Sequence, residues 1–123
     1  VAVVEDQGIR DKTKVACFDA AEISIREMKD GNVDVMVVQN PFQMGFVGVR
    51  LLKAMVEDDQ AVIDEMYPEY SQEGEGDIYR TELRVVVPDE GSPITPELFE
   101  EGTTFMKLSE FEAWLAERNL TSS

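Results

Sequence analysis

Residues 33–50 read VDVMVVQNPFQMGFVGVR, and this stretch decides which fold the chain can adopt. Its first six residues are almost continuously apolar, which is typical of a strand that is covered on both faces of a sheet. From Pro41 onward the apolar residues recur at helical spacing, so the period changes at this point. The stretch therefore predicts a buried strand that leads directly into an amphipathic helix.

The polar residues at the junction are explained only in part by the start of this helix. Asn40 suits the N-cap, Pro41 suits the first helical position, and Gln43 stands where a capping-box partner would. Gln39 precedes the cap and ends the strand, so the local interpretation gives it no role. Its amide both donates and accepts hydrogen bonds, and such a group needs partners.

A similar pattern precedes this stretch. Residues 13–18, TKVACF, predict a short buried strand, and AAEISIREMKDG predicts an amphipathic helix that places Ala21, Ile25 and Met28 on one face. Strand, helix and strand together form a βαβ unit, whose two strands are expected to be parallel neighbours joined by a right-handed crossover.

The second half of the chain is less regular. Residues 57–77 are acidic and contain no Lys or Arg, which predicts a solvated loop with a short helix at 62–66. TELRVVV at 81–87 predicts a third strand, and TPELFEEG predicts a short helix with Thr95 as its cap. LSEFEAWLAERNL predicts a final amphipathic helix with Ser109 as its cap, on which Trp114 is a docking anchor rather than a sugar-stacking ring.

Composition excludes several classes of function. The chain has 123 residues, a net charge of −15, no histidine and one cysteine. The charge argues against binding nucleic acid or an anionic membrane, and the missing histidines exclude Ser-His and Cys-His catalysis. No apolar run approaches the ~20 residues of a membrane span, so we expect a soluble single domain without a metal site or a cofactor.

Two polar side chains are expected to meet at one edge of the sheet. Asp19 follows the first predicted strand and Gln39 ends the second, and the carboxyl ends of parallel strands are where open α/β sheets bind ligands. A carboxylate and an amide suit the hydroxyl groups of a polyol. The adjacent Phe18 either offers an apolar face to a sugar ring or points into the core, and Asp19 has an alternative role as the N-cap of the following helix.

KVACFDA together with DVMVVQNPFQMGFVGVRLL resembles the last third of the periplasmic sugar-binding proteins of ABC transporters, in the ribose-binding-like type I group. The resemblance covers residues 1–55, and RTELRVVVPDE resembles the final strand of that family. It implies an α/β fold in which a parallel-sheet, Rossmann-like βαβ unit is followed by a hinge-crossing helix, a return strand and a C-terminal helix.

The resemblance also implies roles for residues and segments. Phe18 matches the ring-contact position, Asp19 the carboxylate that holds sugar hydroxyls, and Gln39 the amide at the hinge. Residues 1–39 and 81–88 would belong to the C-terminal lobe, and 40–80 would form the hinge, an N-terminal-lobe helix and the acidic loop. Residues 89–123 would be a C-terminal extension.

In that family the protein is not an enzyme: it binds a monosaccharide between two lobes in the periplasm and delivers it to a membrane permease. The N-terminal lobe has no counterpart in this chain, so we expect weak sugar affinity and a homo-oligomer formed through the exposed apolar stripe of the helix after Pro41.

Two alternatives remain open. One is the effector-binding domain of a LacI-type transcription regulator, which shares the fold and is distinguished by a helix-turn-helix upstream. The other is a carboxylate-dependent enzyme such as a glycoside hydrolase, although the sequence places no carboxylate pair together in a cleft.

Overall fold

The computed structural model describes residues 1–71, 73–74 and 76–123. One open sheet contains four strands in the spatial order β1-β2-β3-β4: Ala16–Phe18, Val35–Gln39, Leu83–Val87 and Thr104–Lys107. Within these ranges five α-helices, α1 to α5, accompany it: Ala2–Asp6, Glu22–Lys29, Pro41–Val56, Gln60–Met66 and Leu108–Glu117. Short 3-10 helices occur at Arg10–Lys12 and Pro96–Leu98.

The sheet is mostly parallel. β1 and β2 are parallel neighbours, with Phe18 opposite Val37, which confirms the predicted pairing of the first two strands. β3 runs antiparallel to β2, and β4 runs parallel to β3. The amino ends of β3 and β4 therefore lie at the same edge as the carboxyl ends of β1 and β2. The α/β class is confirmed.

Both faces of the central strands are buried, as the apolar run of β2 predicts. One face carries Met36, Val38 and Val86 and packs against residues of α2 and α5. The other face carries Val35, Val85 and Val87, and three partly buried residues pack on it: Ile94, Phe99 and Phe105.

The chain divides into two compact units. The first comprises Val1–Gln39 and Glu82–Ser123, and the second comprises Asn40–Thr81. Assignment of these units to the lobes of a larger binding protein stays a prediction. The second unit contains α3 and α4, which are linked by an ion pair between Arg50 and Glu65 at 2.5 Å.

Residues 89–123, predicted as an extension, contribute to the core of the first unit. β4 pairs with β3 along its whole length, and α5 buries Leu108, Phe111 and Leu115. β4 itself was not predicted. It is short and only partly buried, so its alternating pattern is weak.

The predicted start of the last helix is wrong. α5 begins at Leu108, directly after β4, and the Glu110 carboxylate accepts a hydrogen bond from the Lys107 N–H at 2.7 Å. Ser109 instead donates its backbone N–H and its hydroxyl to the Asp89 carboxylate, at 3.0 and 2.7 Å. The strand runs into the helix without a loop, so the cap lies two residues earlier than the Ser-x-x-Glu pattern indicates.

Several other predictions concern segment ends. α2 buries Ile25 and Met28 as predicted, but Ala21, predicted on the same face, is the exposed N-cap of the helix. The predicted helix at 62–66 is the end of α4, which Asp59 caps. The predicted helix at Thr95 is a 3-10 turn, without a capping hydrogen bond from that side chain. Within the acidic loop, Gln72 and Glu75 lie outside the described residues.

Candidate ligand-binding edge of the sheet

Polar residues from all four strands lie along one edge of the sheet in the first unit. Asp19 follows β1, Gln39 ends β2, Glu82 immediately precedes β3, and Thr104 begins β4. We call these four residues the polar edge. Sheet order and register place them there, because β3 and β4 start where β1 and β2 end.

Asp19 lies next to β2 but does not cap α2. Its N–H donates to the Val37 carbonyl at 2.9 Å, which extends the β1–β2 ladder by one bond. The N-cap position of α2 is occupied by Ala21, two residues further on, so the cap interpretation of Asp19 is wrong. Asp19 is exposed, and its φ of 62° places it in the left-handed region.

Phe18 does not point into the core. Its side chain is 73% exposed, so of the two predicted orientations only the exposed one remains. Strand alternation puts Phe18 and Gln39 on the sheet face opposite to Cys17 and Val38. Phe18 and Gln39 thus share a face close to the edge, and Phe18 presents an apolar ring there.

Gln39 is exposed and pairs through its backbone with Leu83 of β3. The next residue, Asn40, caps α3 as predicted, because its side-chain oxygen accepts a hydrogen bond from the Gln43 N–H at 3.0 Å. Pro41 occupies the first turn of that helix, also as predicted. The local capping role therefore belongs to Asn40 and does not include Gln39.

A buried arginine contacts Glu82, on the face of the sheet that carries Val38, and was missed by the sequence interpretation. Arg84 of β3 is 5% exposed and stands opposite Val38 on one side and Thr104 on the other. Its Nη2 donates to one carboxylate oxygen of Glu82, and the Thr104 hydroxyl donates to the other at 3.3 Å. Nη1 of Arg84 is buried and has no hydrogen-bond partner among the described residues.

Trp114 is confirmed as a docking anchor. Its ring packs against the main core and stacks on Phe111, with ring centres 5.8 Å apart. The guanidinium carbons of Arg84 and Arg118 lie 4.2 and 4.4 Å from the ring centre. Such contacts are cation–π interactions. They occupy the ring, so it is not an open platform for a sugar.

The described part of the chain also bears on metal binding, on the chemistry of the cysteine and on membrane spanning. There, no group of three or more Cys, Asp or Glu side chains is arranged to hold a metal ion. Partial burial raises the pKa of the Cys17 thiol, against a hydrogen bond with Ser24 that lowers it, so the reactive thiolate is disfavoured. Across the same residues no helix has the length and apolarity to cross a membrane.

Comparisons with family models, with curated proteins and with solved structures found no match to this chain.

Proposed function

We propose that the chain is the C-terminal part of a type I, ribose-binding-like sugar-binding protein of an ABC transporter. In this proposal it binds a monosaccharide in the periplasm and passes it to a membrane permease. The observation that carries the proposal is the placement of Asp19 and Gln39 at the ends of two adjacent parallel strands. That edge is where open α/β sheets bind ligands.

Each predicted site residue has a chemical role in this function. The Asp19 carboxylate accepts hydrogen bonds from sugar hydroxyls, and the Gln39 amide both donates and accepts. The exposed ring of Phe18 covers the apolar face of the sugar. All three side chains are exposed, so a ligand can reach them.

The organisation of the chain also supports this function over the alternatives. The chain passes from the first compact unit to the second between Gln39 and Asn40 and returns between Thr81 and Glu82. Both points are close to where the resemblance implies a hinge. The net charge of −15 favours a transporter component over the effector domain of a LacI-type regulator, whose partner is DNA.

A thermal-shift screen of the full-length protein against pentoses and hexoses tests the proposal, because a ligand stabilises the folded state that binds it. We expect one monosaccharide to raise the melting temperature, and Asp19→Asn and Gln39→Ala each to reduce that rise. Failure of every pentose and hexose to stabilise the protein would count against sugar binding.

The proposal also includes self-association of the 123-residue chain. Among the residues of α3 only Ala54 is buried, and Phe42 and Val56 are 82% and 84% exposed. An apolar helix of this kind is expected to bury its surface against another molecule, and a second copy of the chain offers the same surface.

A further inference from the structure

We propose that the second unit contains a binding site for a small organic ammonium ion, in a cavity lined by α3, α4 and residues 67–77. The polar edge belongs to the first unit, so this inference goes beyond the proposed function and does not depend on sugar binding. Three observations carry it: a cavity of ligand size, aromatic rings beside an unpaired carboxylate, and a glycine that brings these groups together.

The cavity has the size of a small-molecule site. Its volume is about 400 Å³, and the residues that line it belong to the second unit. Leu51 of α3 and Ile63 of α4 contribute apolar walls, and both are half-buried. Pockets for small ligands typically have about 300–1,000 Å³ and a mostly apolar lining. The cavity therefore fits a compact molecule with an apolar body.

Contacts between α3 and α4 fix the frame of the cavity. Asp59 caps α4, because its Oδ1 accepts a hydrogen bond from the Val62 N–H at 3.3 Å. The N–H of the same residue donates to the Ala54 carbonyl of α3 at 2.8 Å. The ion pair between Arg50 and Glu65 joins the two helices a second time. The apolar walls are therefore held at two points before any ligand enters.

A glycine brings the carboxylate of the cavity close to its aromatic side. Gly76 has a φ of 67°, and a Cβ at this position would clash with the backbone of Glu69 and Tyr70. Only glycine permits so close an approach of two backbone segments. The approach places Asp77, the next residue, on the same cavity as Tyr70.

Aromatic rings and an unpaired carboxylate are groups that recognise an ammonium ion. Tyr67 and Tyr70 line the cavity, and the Tyr67 ring packs edge-to-face with Tyr79, with ring centres 6.0 Å apart. The face of a tyrosine ring attracts cations, and aromatic cages bind ammonium ligands in this way. Asp77 also lines the cavity and makes no hydrogen bond or ion pair with another described residue.

Charge selects the class of ligand. Residues 57–79 contain nine acidic and no basic side chains, and among the described residues neither a Lys nor an Arg lines the cavity. An anionic ligand would be repelled by these surroundings. A neutral ligand would take water away from the Asp77 carboxylate without compensating its charge, which is costly. An ammonium ion compensates that charge and places its apolar body against the walls.

Calorimetry with three probes of similar shape tests the ligand class. The 123-residue chain is titrated with phenethylamine, which is cationic at neutral pH, with the neutral phenethyl alcohol and with the anionic hydrocinnamate. We expect the amine to bind saturably at one site per chain, and the alcohol and the carboxylate to bind about tenfold more weakly or worse. Backbone amide NMR locates the site, and we expect the amine to shift resonances within residues 51–79.

Variants of the carboxylate and of one ring identify the groups that bind. Asp77→Asn should weaken binding of phenethylamine by about fivefold or more. Glu73→Gln makes an equal charge change in the same loop, at a residue that does not line the cavity, and should leave the affinity unchanged. Tyr70→Phe keeps the ring face and should retain binding, whereas Tyr70→Leu should lose it. Tyr70 is 61% exposed, so neither change disturbs the fold.

Two glycine variants test the close approach of the backbone segments. Gly76→Ala introduces the clash with residues 69–70 and should weaken binding of phenethylamine by about fivefold or more. Gly74→Ala is the matched control: its φ of 91° imposes similar strain, but a Cβ there meets no atom within 4 Å, so the affinity should stay unchanged. Circular dichroism during thermal unfolding shows that both variants are folded.

Several results would overturn the inference. Equal or tighter binding of phenethyl alcohol would show that the cavity recognises only the apolar body. Equal effects of Asp77→Asn and Glu73→Gln would show that no particular carboxylate contacts the ligand. Absence of saturable amine binding, or amide shifts confined to residues outside 51–79, would reject the site. None of these results touches Asp19 or Gln39, so the proposed function stands or fails separately.

Discussion

Asp19 keeps a backbone conformation that is unfavourable for a residue with a side chain. Its φ of 62° lies in the left-handed region, which costs an L-residue roughly 1 kcal/mol and which glycine adopts freely. The side chain does not offset this strain by capping α2, because Ala21 occupies the N-cap position. Residues in such strained conformations cluster at functional sites.

Asp19→Gly should therefore stabilise the chain and remove sugar binding at the same time. We expect the free energy of unfolding to rise by about 0.5–1 kcal/mol, because the strain disappears. Urea unfolding of the two proteins measures this change. A large loss of stability would show instead that the carboxylate has a structural role at the end of β1.

Asp34 links stability to pH. Its Oδ2 accepts from the Val15 N–H at 2.7 Å and pairs with Arg10 at 3.0 Å, and Oδ1 pairs with Lys14 at 3.2 Å. Partial burial raises the pKa of Asp34, but the hydrogen bonds from Arg10, Val15 and Lys14 and the charge of Arg10 outweigh it, so the pKa lies below its usual value.

Because the folded pKa is lowered, the stabilisation from Asp34 is present above the unfolded pKa of about 3.9 and is lost as pH falls through the folded value. Asp34→Asn should cost about 1–3 kcal/mol at neutral pH and should flatten the acid side of the stability profile. Urea unfolding between neutral and acidic pH checks this. Asp11→Asn, an exposed change of equal charge, is the control, and identical profiles for the two variants would contradict the prediction.

α5 joins the C-terminal part of the chain to the core of the first unit. Phe111 is fully buried, and α5 also contributes Leu108 and Leu115 to the same cluster. Phe111→Ala should lower the free energy of unfolding by about 3–5 kcal/mol. Phe18→Ala removes the same ring from an exposed site of the same unit and should cost little. Equal effects of the two changes in urea unfolding would show that α5 is a dispensable attachment.

The first half of the fold could be predicted because its signals are local. The apolar run of β2, the 3.6-residue period of α2 and the Asn40–Pro41 helix start each lie within a few neighbouring residues. β4 escaped prediction because Lys107 ends the strand and Leu108 begins the helix, with no turn residue between them. Helix boundaries of this kind depend on tertiary pairing, in this case the pairing of β4 with β3.

In the candidate site, too, residues marked by local sequence signals could be predicted, and residues brought together only by tertiary pairing could not. Asp19 and Gln39 were found because each follows its own apolar strand, and parallel pairing alone brings the two strand ends to one edge. Glu82, Arg84 and Thr104 meet only through the antiparallel register of β3 and its pairing with β4. The Glu-Leu-Arg alternation at the start of β3 was visible, but an arginine in that pattern usually faces solvent rather than a tryptophan.

Two properties of the chain act on its association in opposite directions. The net charge of −15 makes copies repel one another, and salt screens that repulsion within about a Debye length. The apolar surface of α3 favours association, and six of its large side chains are more than half exposed: Phe42, Phe46, Val49, Leu52, Met55 and Val56. Apolar side chains exposed in this number can contribute to an interface, in which each partner typically buries ~800 Å².

We therefore expect the 123-residue chain to self-associate through α3, and more strongly as salt is added. Phe46→Glu places a charge in the middle of the exposed surface and should shift the population toward monomer. Ile78→Glu makes an equal charge change at another exposed residue, outside α3, and should leave the association unchanged. Light scattering coupled to size-exclusion chromatography at high micromolar concentration measures the molar mass of the wild-type chain and of both variants. A monodisperse wild-type monomer at every salt concentration would show that charge repulsion outweighs the apolar surface, and an equal loss of association in both variants would place the interface elsewhere.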